Sequence, residues 1–204
     1  MNKNNFQILM ATKNSGKIKE LKELLADLPI KLLSLKDFPD AAEVEETGGT
    51  FAENAALKAQ SYALQTKIYA LADDSGLEVA ALDGAPGIFS ARYAGENVSD
   101  ETRIEKLLEE MSQTQNENRA ARFVCAMSIA DRNGEIIFTA EEFCEGTIAF
   151  KQRGQNGFGY DPVFIPSGFD KTFGELSTSI KRKISHRARA SVKIIRYLRD
   201  FIAV

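Results

Sequence analysis

Strand patterns fill the middle of this 204-residue chain, and more helical parts lie on either side of them. The apolar runs at 121–130 and 135–150 flank Asp131-Arg132-Asn133-Gly134, whose Asn-Gly pair is a strong hairpin signal. Three earlier apolar runs are also typical of strands, at residues 6–11, 30–35 and 68–72. This order predicts an α/β domain with a mixed sheet, and two lobes around a cleft would suit it.

Four segments have the apolar spacing of amphipathic helices. The first runs from about residue 16 to 28, and the second opens at Thr50–Glu53, which matches a capping box. A third helix is expected from about Ser99 to Met111. The last lies within 188–202 and has one apolar stripe, formed by Val192, Ile195, Leu198 and Ile202.

Composition limits the classes of function. Hydrophobic residues make up 44% of the chain and charged residues 27%, as in ordinary globular proteins. The net charge of −3 argues against whole-protein binding to nucleic acid or to an acidic membrane. The run at 6–11 is too brief for a secretory signal, and no run approaches the ~20 apolar residues that span a bilayer. We expect one cytoplasmic domain over residues 1–204, with Cys125 and Cys144 as core thiols.

Two adjacent acids, Asp73 and Asp74, follow the strand-like run at 68–72, and Ser75-Gly76 then indicates a turn. Neighbouring like charges repel and are costly to desolvate, so such a pair at the end of a core strand needs a compensating partner. The segment 43–55 offers further polar side chains around a glycine-bearing turn: Glu45, Glu46, Glu53 and Asn54. Alone it is typical of a capped helix with solvated acids. Beside the aspartates it indicates Mg²⁺, which takes one or two carboxylates plus phosphate oxygens.

The segment TKNSGK at 12–17 lies between a predicted strand and a predicted helix. Its backbone N–H groups and the positive end of the helix dipole would suit an anion, and Lys17 adds a charge. It is not a Walker A loop, because Ala11 stands where that loop has its first glycine and Ile18 where it has Ser or Thr. Phosphate binding and plain N-capping by Asn14 or Ser15 are equally compatible with it.

Two later segments add candidate ligand contacts. The glycine-rich turn at 154–166 holds Phe158, Tyr160 and Asp161, where an aromatic face can stack on a base and a carboxylate can accept from it. A strand-entry turn with a buried Phe fits equally well. The basic segment 179–190 contains Lys181, the only histidine, His186, and Arg187. Cations at a helix N-terminus oppose its dipole, so either a bound anion or simple solvation must compensate them.

An anion cradle, an acidic cluster, an aromatic turn and a basic segment together indicate a metal-bound nucleoside polyphosphate, provided that all four face one cleft. In the same order, the motifs TKNSGK, EETGGTFAENA, ADDSGLEVAALDGAPGIFSARYAG, NGFGYDPVF and ISHRARA closely resemble the inosine triphosphate pyrophosphatase family (Ham1-like pyrophosphatases of nonstandard purine nucleotides). The resemblance extends from about Ile8 to about Leu198. It implies an elongated two-lobed α/β fold with a central cleft, Mg²⁺ dependence, a homodimer, and hydrolysis of ITP, dITP and XTP to monophosphate and pyrophosphate.

The resemblance also implies roles for individual residues. Asp74 matches the proton acceptor and metal ligand, Glu45 matches a metal-binding acid, and Lys17 joins Asp74 as a catalytic candidate. The remaining matches are substrate contacts: Thr12, Lys13, Asn14, Ser15, Gly16 and Lys17 for phosphate, Phe158, Gly159, Tyr160 and Asp161 for the base, and Ser75, Lys181, His186 and Arg187. The chain departs from the family pattern at Asn156, commonly glycine, and at Ser179-Ile180, commonly acidic.

Selection among purines would depend on exocyclic groups. ITP and XTP carry an oxygen at C6 where ATP has an amino group, so a donor such as Arg187 or His186 would favour them. This hypothesis predicts that Arg187→Ala lowers the preference for ITP over ATP. Two alternatives remain: a pyrophosphatase for other modified nucleotides, or a nucleotide- or RNA-binding module that uses the basic segment without turnover. The acidic cluster disfavours the second, because it would repel a polyanion in the absence of a metal.

Overall fold

The computed structural model describes residues 6–114 and 117–203. Six strands are present in them: β1 (Phe6–Met10), β2 (Ile30–Ser34), β3 (Tyr69–Val79), β4 (Ala120–Ala130), β5 (Ile136–Ile148) and β6 (Phe164–Pro166). They form one sheet in the order β2-β1-β3-β4-β5-β6. Strand β1 pairs in parallel with β2 and β3, whereas β5 and β6 are antiparallel. The predicted α/β class with a mixed sheet and flanking helices is confirmed; the predicted central cleft stays a prediction.

The α-helices are α1 (Ser15–Leu24), α2 (Phe51–Thr66), α3 (Asp100–Gln113), α4 (Thr178–Ile184) and α5 (His186–Ala203). Polar side chains begin the first three: Asn14, Thr50 and Ser99 each accept a hydrogen bond from a backbone N–H of the first turn. The Asn133-Gly134 turn between adjacent strands β4 and β5 is also present, with Gly134 at φ +81°. The sequence did not predict the separate short helix α4.

Strand β3 is longer than the sequence predicts. It continues through Asp73, Asp74 and the expected Ser75-Gly76 turn as far as Val79, so the turn prediction is wrong. Leu77 and Val79, two residues apart, are both fully buried. Burying this apolar pair on one face of an extended chain stabilises the strand beyond the two acids.

The apolar stripe predicted for α5 is wrong at Val192. That side chain is 66% exposed, whereas Ile194 is 0% exposed. The buried face of the helix follows Ala190, Ile194 and Leu198, at a spacing of four residues. Ala190 is small, so a pattern based on large apolar side chains leaves it out. The predicted stripe was therefore placed too far towards Val192.

Two compact units make up the chain. The first is drawn from the chain up to Asp74, from Cys125–Glu142 and from Arg187 onward, and the second from Ser75–Val124 and Phe143–His186. The prediction of one domain over residues 1–204 therefore stays a prediction, and residues 1–5, 115, 116 and 204 lie outside the described part. No helix in that part is long and apolar enough to cross a membrane.

Each unit has its own apolar core. In the first, β1 is buried on both faces, as parallel strands usually are. Ile8 shares a cluster with Leu21 of α1 and Leu198 of α5, and Leu9, on the other face, shares one with Ala59 of α2. The second unit has a separate cluster that joins strands and α3, with Leu77, Ile104, Phe123, Phe164 and Phe173 among its members. These cores fix the strands and helix ends that carry the candidate site residues.

Candidate active site

Asp74 lies in the first unit beside a half-buried lysine. Lys58 belongs to helix α2, and its side chain reaches Asp74, the residue of β3 at which the first unit ends. Its ammonium is 2.8 Å from Asp74 Oδ1 and 2.5 Å from Glu46 Oε1. The same ammonium donates to the carbonyl oxygen of Asp73 at 3.0 Å. All three of its N–H groups thus have an acceptor. Two carboxylates raise the pKa of Lys58 despite the opposing effect of burial, so the lysine stays a cation.

The other carboxylate oxygen of Asp74 is an acceptor without a partner. Oδ2 is buried and receives no hydrogen bond from the described residues. Burial raises the pKa of Asp74, and Glu46 adds to this, although Lys58 and Lys17 act in the opposite direction. A desolvated carboxylate oxygen of this kind suits either a hard cation or the proton of a water molecule.

The preceding residue, Asp73, has a different set of partners. Its carboxylate receives the Lys17 ammonium at 2.6 Å on Oδ1, and on Oδ2 the Arg187 Nε at 2.7 Å and the Cys125 thiol at 3.2 Å. Although burial opposes ionisation, Arg187 and Lys17 hold the pKa of Asp73 well below its usual value. Arg187 also binds Glu20 of α1, with Nη1 2.5 Å from Oε2. Both oxygens of the Asp73 carboxylate are therefore paired, whereas Asp74 is paired through Oδ1 alone among the described residues.

The predicted phosphate loop forms the start of α1. Asn14 Oδ1 accepts from Lys17 N at 3.0 Å, and Thr12 Oγ1 accepts from Asn14 N at 3.2 Å, so the N-capping interpretation is confirmed for Asn14. A helix leaves its first N–H groups without intrahelical partners, and here they belong to Ser15 and Gly16. Lys13 is directed elsewhere and forms an exposed ion pair with Glu43 at 3.2 Å. The phosphate contacts of the loop stay a prediction.

The two candidate metal-binding acids are placed differently. Asp74 is buried, whereas Glu45 is exposed, and it is the neighbouring Glu46 that shares Lys58 with Asp74. No group of three or more His, Cys, Asp and Glu among residues 6–114 and 117–203 is arranged to hold a metal ion. A site completed by substrate phosphate needs fewer protein ligands, and the partnerless Oδ2 of Asp74 fits that donor set. The metal role of Glu45 stays a prediction.

In the second unit, the predicted base-contacting turn is organised around Asp161. Its Oδ2 accepts from Phe158 N at 2.8 Å and from the buried Lys181 Nζ at 2.5 Å. The same ammonium lies 4.7 Å from the centre of the Phe158 ring. Gly157, at φ +80°, is required there, because a Cβ would lie 1.9 Å from Asp161 Oδ2. The structure therefore brings three predicted residues together: Phe158, Asp161 and Lys181.

Other side chains hold this turn in place. Gly159 N donates to Asp100 Oδ2 at 2.7 Å, and the Tyr160 hydroxyl donates to the carbonyl of Ser90 at 3.0 Å. Burial raises the pKa of Tyr160, so this hydroxyl stays a neutral donor. Asn156, the departure from the family pattern, donates from Nδ2 to the carbonyl of Leu176 at 3.0 Å. The loop thus gains a hydrogen bond that a glycine side chain cannot make.

The remaining predicted contacts are less exposed than a ligand-binding role suggests. His186 is buried and stacks on Phe123, with ring centroids 4.7 Å apart and an interplanar angle of 14°. Arg187 is 2% exposed, and its guanidinium binds Asp73 and Glu20. Ser75 is half-buried in β3. Substrate contact by these three residues stays a prediction.

Sequence reasoning missed Lys58, Asp100 and Glu20. Lysines are common in helices, so Lys58 did not stand out in the sequence. Its position in α2, however, indicates that it lies on the buried face of that helix. It lies four residues after Asn54 on the face of α2 that also carries Ala55 and Tyr62, and all three of these are buried. A lysine on the apolar face of an amphipathic helix needs a buried anion, and this requirement points to Asp74.

Comparison with known proteins places the chain among related sequences over nearly its whole length. A sequence model of the Ham1 family matches residues 8–197. A dITP/XTP pyrophosphatase of Oceanobacillus iheyensis is 48% identical over 193 residues, which cover 94% of this chain and 98% of that protein. A dITP/XTP pyrophosphatase of Bacillus anthracis is 47% identical over 191 residues, 92% of this chain and 94% of that protein.

Solved structures agree with this result. A HAM1 protein from Coxiella burnetii superimposes with a TM-score of 0.88 at 42% identity, covering 96% of this chain and 99% of that one. The Ham1 protein of Staphylococcus aureus gives a TM-score of 0.83 at 44% identity, covering 95% and 98%. The resemblance first seen in the motifs thus extends to the order and packing of the helices and strands.

Proposed function

Because this chain belongs to the Ham1 family, we propose that it hydrolyses ITP, dITP and XTP to the nucleoside monophosphate and pyrophosphate. One observation carries the proposal: relatives that are 47% and 48% identical over more than nine-tenths of the chain are dITP/XTP pyrophosphatases. The reaction would remove nonstandard purine nucleotides from the nucleotide pool. The first unit supports it with a buried carboxylate, Asp74, one oxygen of which has no partner among the described residues.

Asp74 would be the proton acceptor. Its partnerless Oδ2 would take a proton from the attacking water, while Oδ1 stays bound to the Lys58 ammonium at 2.8 Å. Asp74 and Glu45 would hold Mg²⁺, which when bound neutralises charge on the phosphate oxygens. Lys17 and the N–H groups of Ser15 and Gly16 would bind the triphosphate, since fixed donors that stabilise transition-state charge contribute roughly 10²–10³ in rate each.

The turn around Asp161 would receive the base. Phe158 offers an aromatic face, on which stacking is tolerant of base identity. Lys181 can donate to an oxygen at C6, the feature that separates hypoxanthine and xanthine from adenine. A site built on such donors rejects an analogue that leaves them unpaired. Gly159, Tyr160 and His186 would shape this pocket, with Ser75 as a further substrate contact.

A pyrophosphate-release assay tests the reaction. ITP, dITP, XTP, ATP, GTP and dUTP are compared with Mg²⁺ and with a chelator, and release is expected from the first three in the presence of Mg²⁺ only. Asp74→Asn should lower turnover at least ~10²-fold, as expected for loss of a general base, while exposed Asp170→Asn should not change it. A preference for dUTP or ATP would contradict the substrate assignment. Normal turnover in Asp74→Asn would contradict the assignment of Asp74 as the proton acceptor.

We further propose that the enzyme is a cytoplasmic homodimer that acts on free nucleotides and binds neither nucleic acid nor membrane. Light scattering should give about twice the chain mass of 22.5 kDa. Titration with single-stranded RNA should show no binding at physiological salt. Tight, steeply salt-dependent RNA binding without pyrophosphate release would instead support the binding-module alternative.

A further inference from the structure

We propose that Glu20, on helix α1, is a positioning residue that fixes the Lys17 ammonium through two buried side chains, Arg187 and Asp73. The inference rests on the proposed function, because Lys17 is assigned to the triphosphate there. All four residues lie in the first unit, and the sequence had linked only Lys17 and Arg187 to the substrate.

The first link joins α1 to α5. Arg187 Nη1 lies 2.5 Å from Glu20 Oε2, and the two side chains are 2% and 17% exposed. A guanidinium at this depth has little access to water, so its orientation is set by the carboxylates it meets. Glu20 is the anchor at one end of it.

The second link joins α5 to β3. Arg187 Nε donates to Asp73 Oδ2 at 2.7 Å, and Nη2 donates to Oδ1 at 3.4 Å. The planar guanidinium therefore meets both oxygens of Asp73 while its third nitrogen meets Glu20. Because the fork is rigid, turning the guanidinium at the Glu20 end also turns the carboxylate of Asp73.

The third link returns to α1. Lys17 Nζ lies 2.6 Å from Asp73 Oδ1 and 3.3 Å from the Asp73 carbonyl oxygen. An ammonium has three N–H donors, and Asp73 accepts two of them, so the position of Lys17 follows that of Asp73. Lys17 and Glu20 are three residues apart on α1 and share a helix face. The contacts thus form a closed ring from α1 through α5 and β3 and back.

Charge balance makes the ring sensitive to Glu20. The carboxylates of Glu20 and Asp73 contribute −2, and the cations Arg187 and Lys17 contribute +2, so these four charges sum to zero. Truncating Glu20 leaves one positive charge in excess and one guanidinium nitrogen without its carboxylate. Arg187 and Lys17 would then compete for Asp73, and the ammonium would lose its fixed position.

The test is a double-mutant cycle on pyrophosphate release from ITP and ATP. Glu20→Ala is expected to lower kcat roughly 10- to 100-fold, the cost of misplacing a catalytic group by about 1 Å, equally for both nucleotides. Glu20→Gln keeps an acceptor oxygen of the same reach but leaves the same excess positive charge, so it should restore only part of the rate. Exposed Asp27→Ala serves as the matched control and should leave kcat within about twofold.

In a Lys17→Ala background, Glu20→Ala is expected to have little further effect, because the group it positions is gone. The cycle is repeated on binding of inorganic tripolyphosphate with Mg²⁺, which needs no turnover. The inference is overturned if Glu20→Ala keeps the parent rate, if the two substitutions act independently, or if the ITP/ATP ratio changes. Failure of the parent to release pyrophosphate would refute the proposed function, while the tripolyphosphate cycle would still test the ring.

Discussion

Asp73 and Asp74 are consecutive residues of one strand, and neighbouring strand side chains point to opposite faces. The Asp73 carboxylate contacts Lys17, Arg187 and Cys125. That of Asp74 contacts Lys58, and one of its oxygens has no partner in the part of the chain that the structure describes. Their pKa values move in opposite directions for this reason, down for Asp73 and up for Asp74. An acid whose ionised form is stabilised by two cations thus lies next to one that burial makes a better proton acceptor.

We expect Asp73→Asn to lower the free energy of unfolding by about 3–5 kcal/mol, because it leaves the buried Arg187 and the half-buried Lys17 without the charge of Asp73. Urea denaturation at pH 7 measures the loss, and exposed Asp40→Asn should stay within about 0.5 kcal/mol of the parent. Asp73 has a lowered pKa in the fold, so its contribution is present above its unfolded pKa and is lost as the pH falls through the folded value. The difference in free energy of unfolding between the parent and Asp73→Asn should therefore become smaller in acid. A difference that does not change with pH would contradict the ion-pair origin of the stabilisation.

At this scale the sequence showed which residues carry charge, but not which charges are paired. It marked Asp73, Asp74 and Arg187, and it treated Arg187 as a donor to the base. The contact between Arg187 and Asp73 spans 114 positions of sequence, and a single chain contains no local signal for it. The capping side chains Asn14 and Thr50 were predictable, since each acts on a backbone group three residues away.

Helix α3 links its own N-terminus to the predicted base-contacting turn. Ser99 caps the helix, and Asp100, the first helical residue, uses one carboxylate oxygen for Arg103 at 2.6 Å and the other for Gly159 N at 2.7 Å. An acid in the first turn also suits the helix dipole. A single aspartate thus stabilises the helix and fixes a glycine at φ +60°.

We expect Asp100→Ala to raise the KM for ITP about 3- to 10-fold through loss of one charge-assisted hydrogen bond that is partly exposed to solvent. The value of kcat should change less than about twofold, because Asp74 and Lys17 belong to other elements. Glu101→Ala, at the next and exposed helix position, is the matched control. Equal KM values for the two variants would show that Asp100 does not position the turn.

Elements with a strong periodic pattern were predictable, and their ends were less so. Strand β3 is longer than predicted because the buried Leu77 and Val79 extend it past the two acids. The prediction ended the strand at the acids because charged residues are uncommon inside a buried strand. The face of α5 was misassigned because Ala190 is buried and Val192 is exposed, a choice made by the packing of the core rather than by hydrophobicity.

On the scale of the whole molecule, three strands contribute to both units. In β3 the first unit ends at Asp74 and the second begins at Ser75. In β4 the first unit begins at Cys125, and in β5 it ends at Glu142; the rest of both strands belongs to the second unit. A strand has to be extended along its length for its ladder to form, so opening one part should disturb the other. The sequence could not show this division, because it depends on which strands pair.

We expect one cooperative thermal transition, in which the calorimetric and van't Hoff enthalpies of unfolding agree. Differential scanning calorimetry at two scan rates measures it, and circular dichroism in the far and near ultraviolet should give the same midpoint. Two separable transitions would contradict the single domain predicted for residues 1–204.

Each unit contains one of the two cysteines, Cys125 in the first and Cys144 in the second. Neither thiol forms a disulfide among the described residues, and the two cysteines are 0% and 2% exposed. A maleimide therefore reaches each thiol only when the surrounding structure opens, and the burial that raises the pKa of Cys125 further slows that reaction. The labelling rate of each cysteine therefore reports how often its own unit opens. The ratio of the two rates, measured by peptide mass spectrometry on the unmodified chain, shows which unit opens more readily.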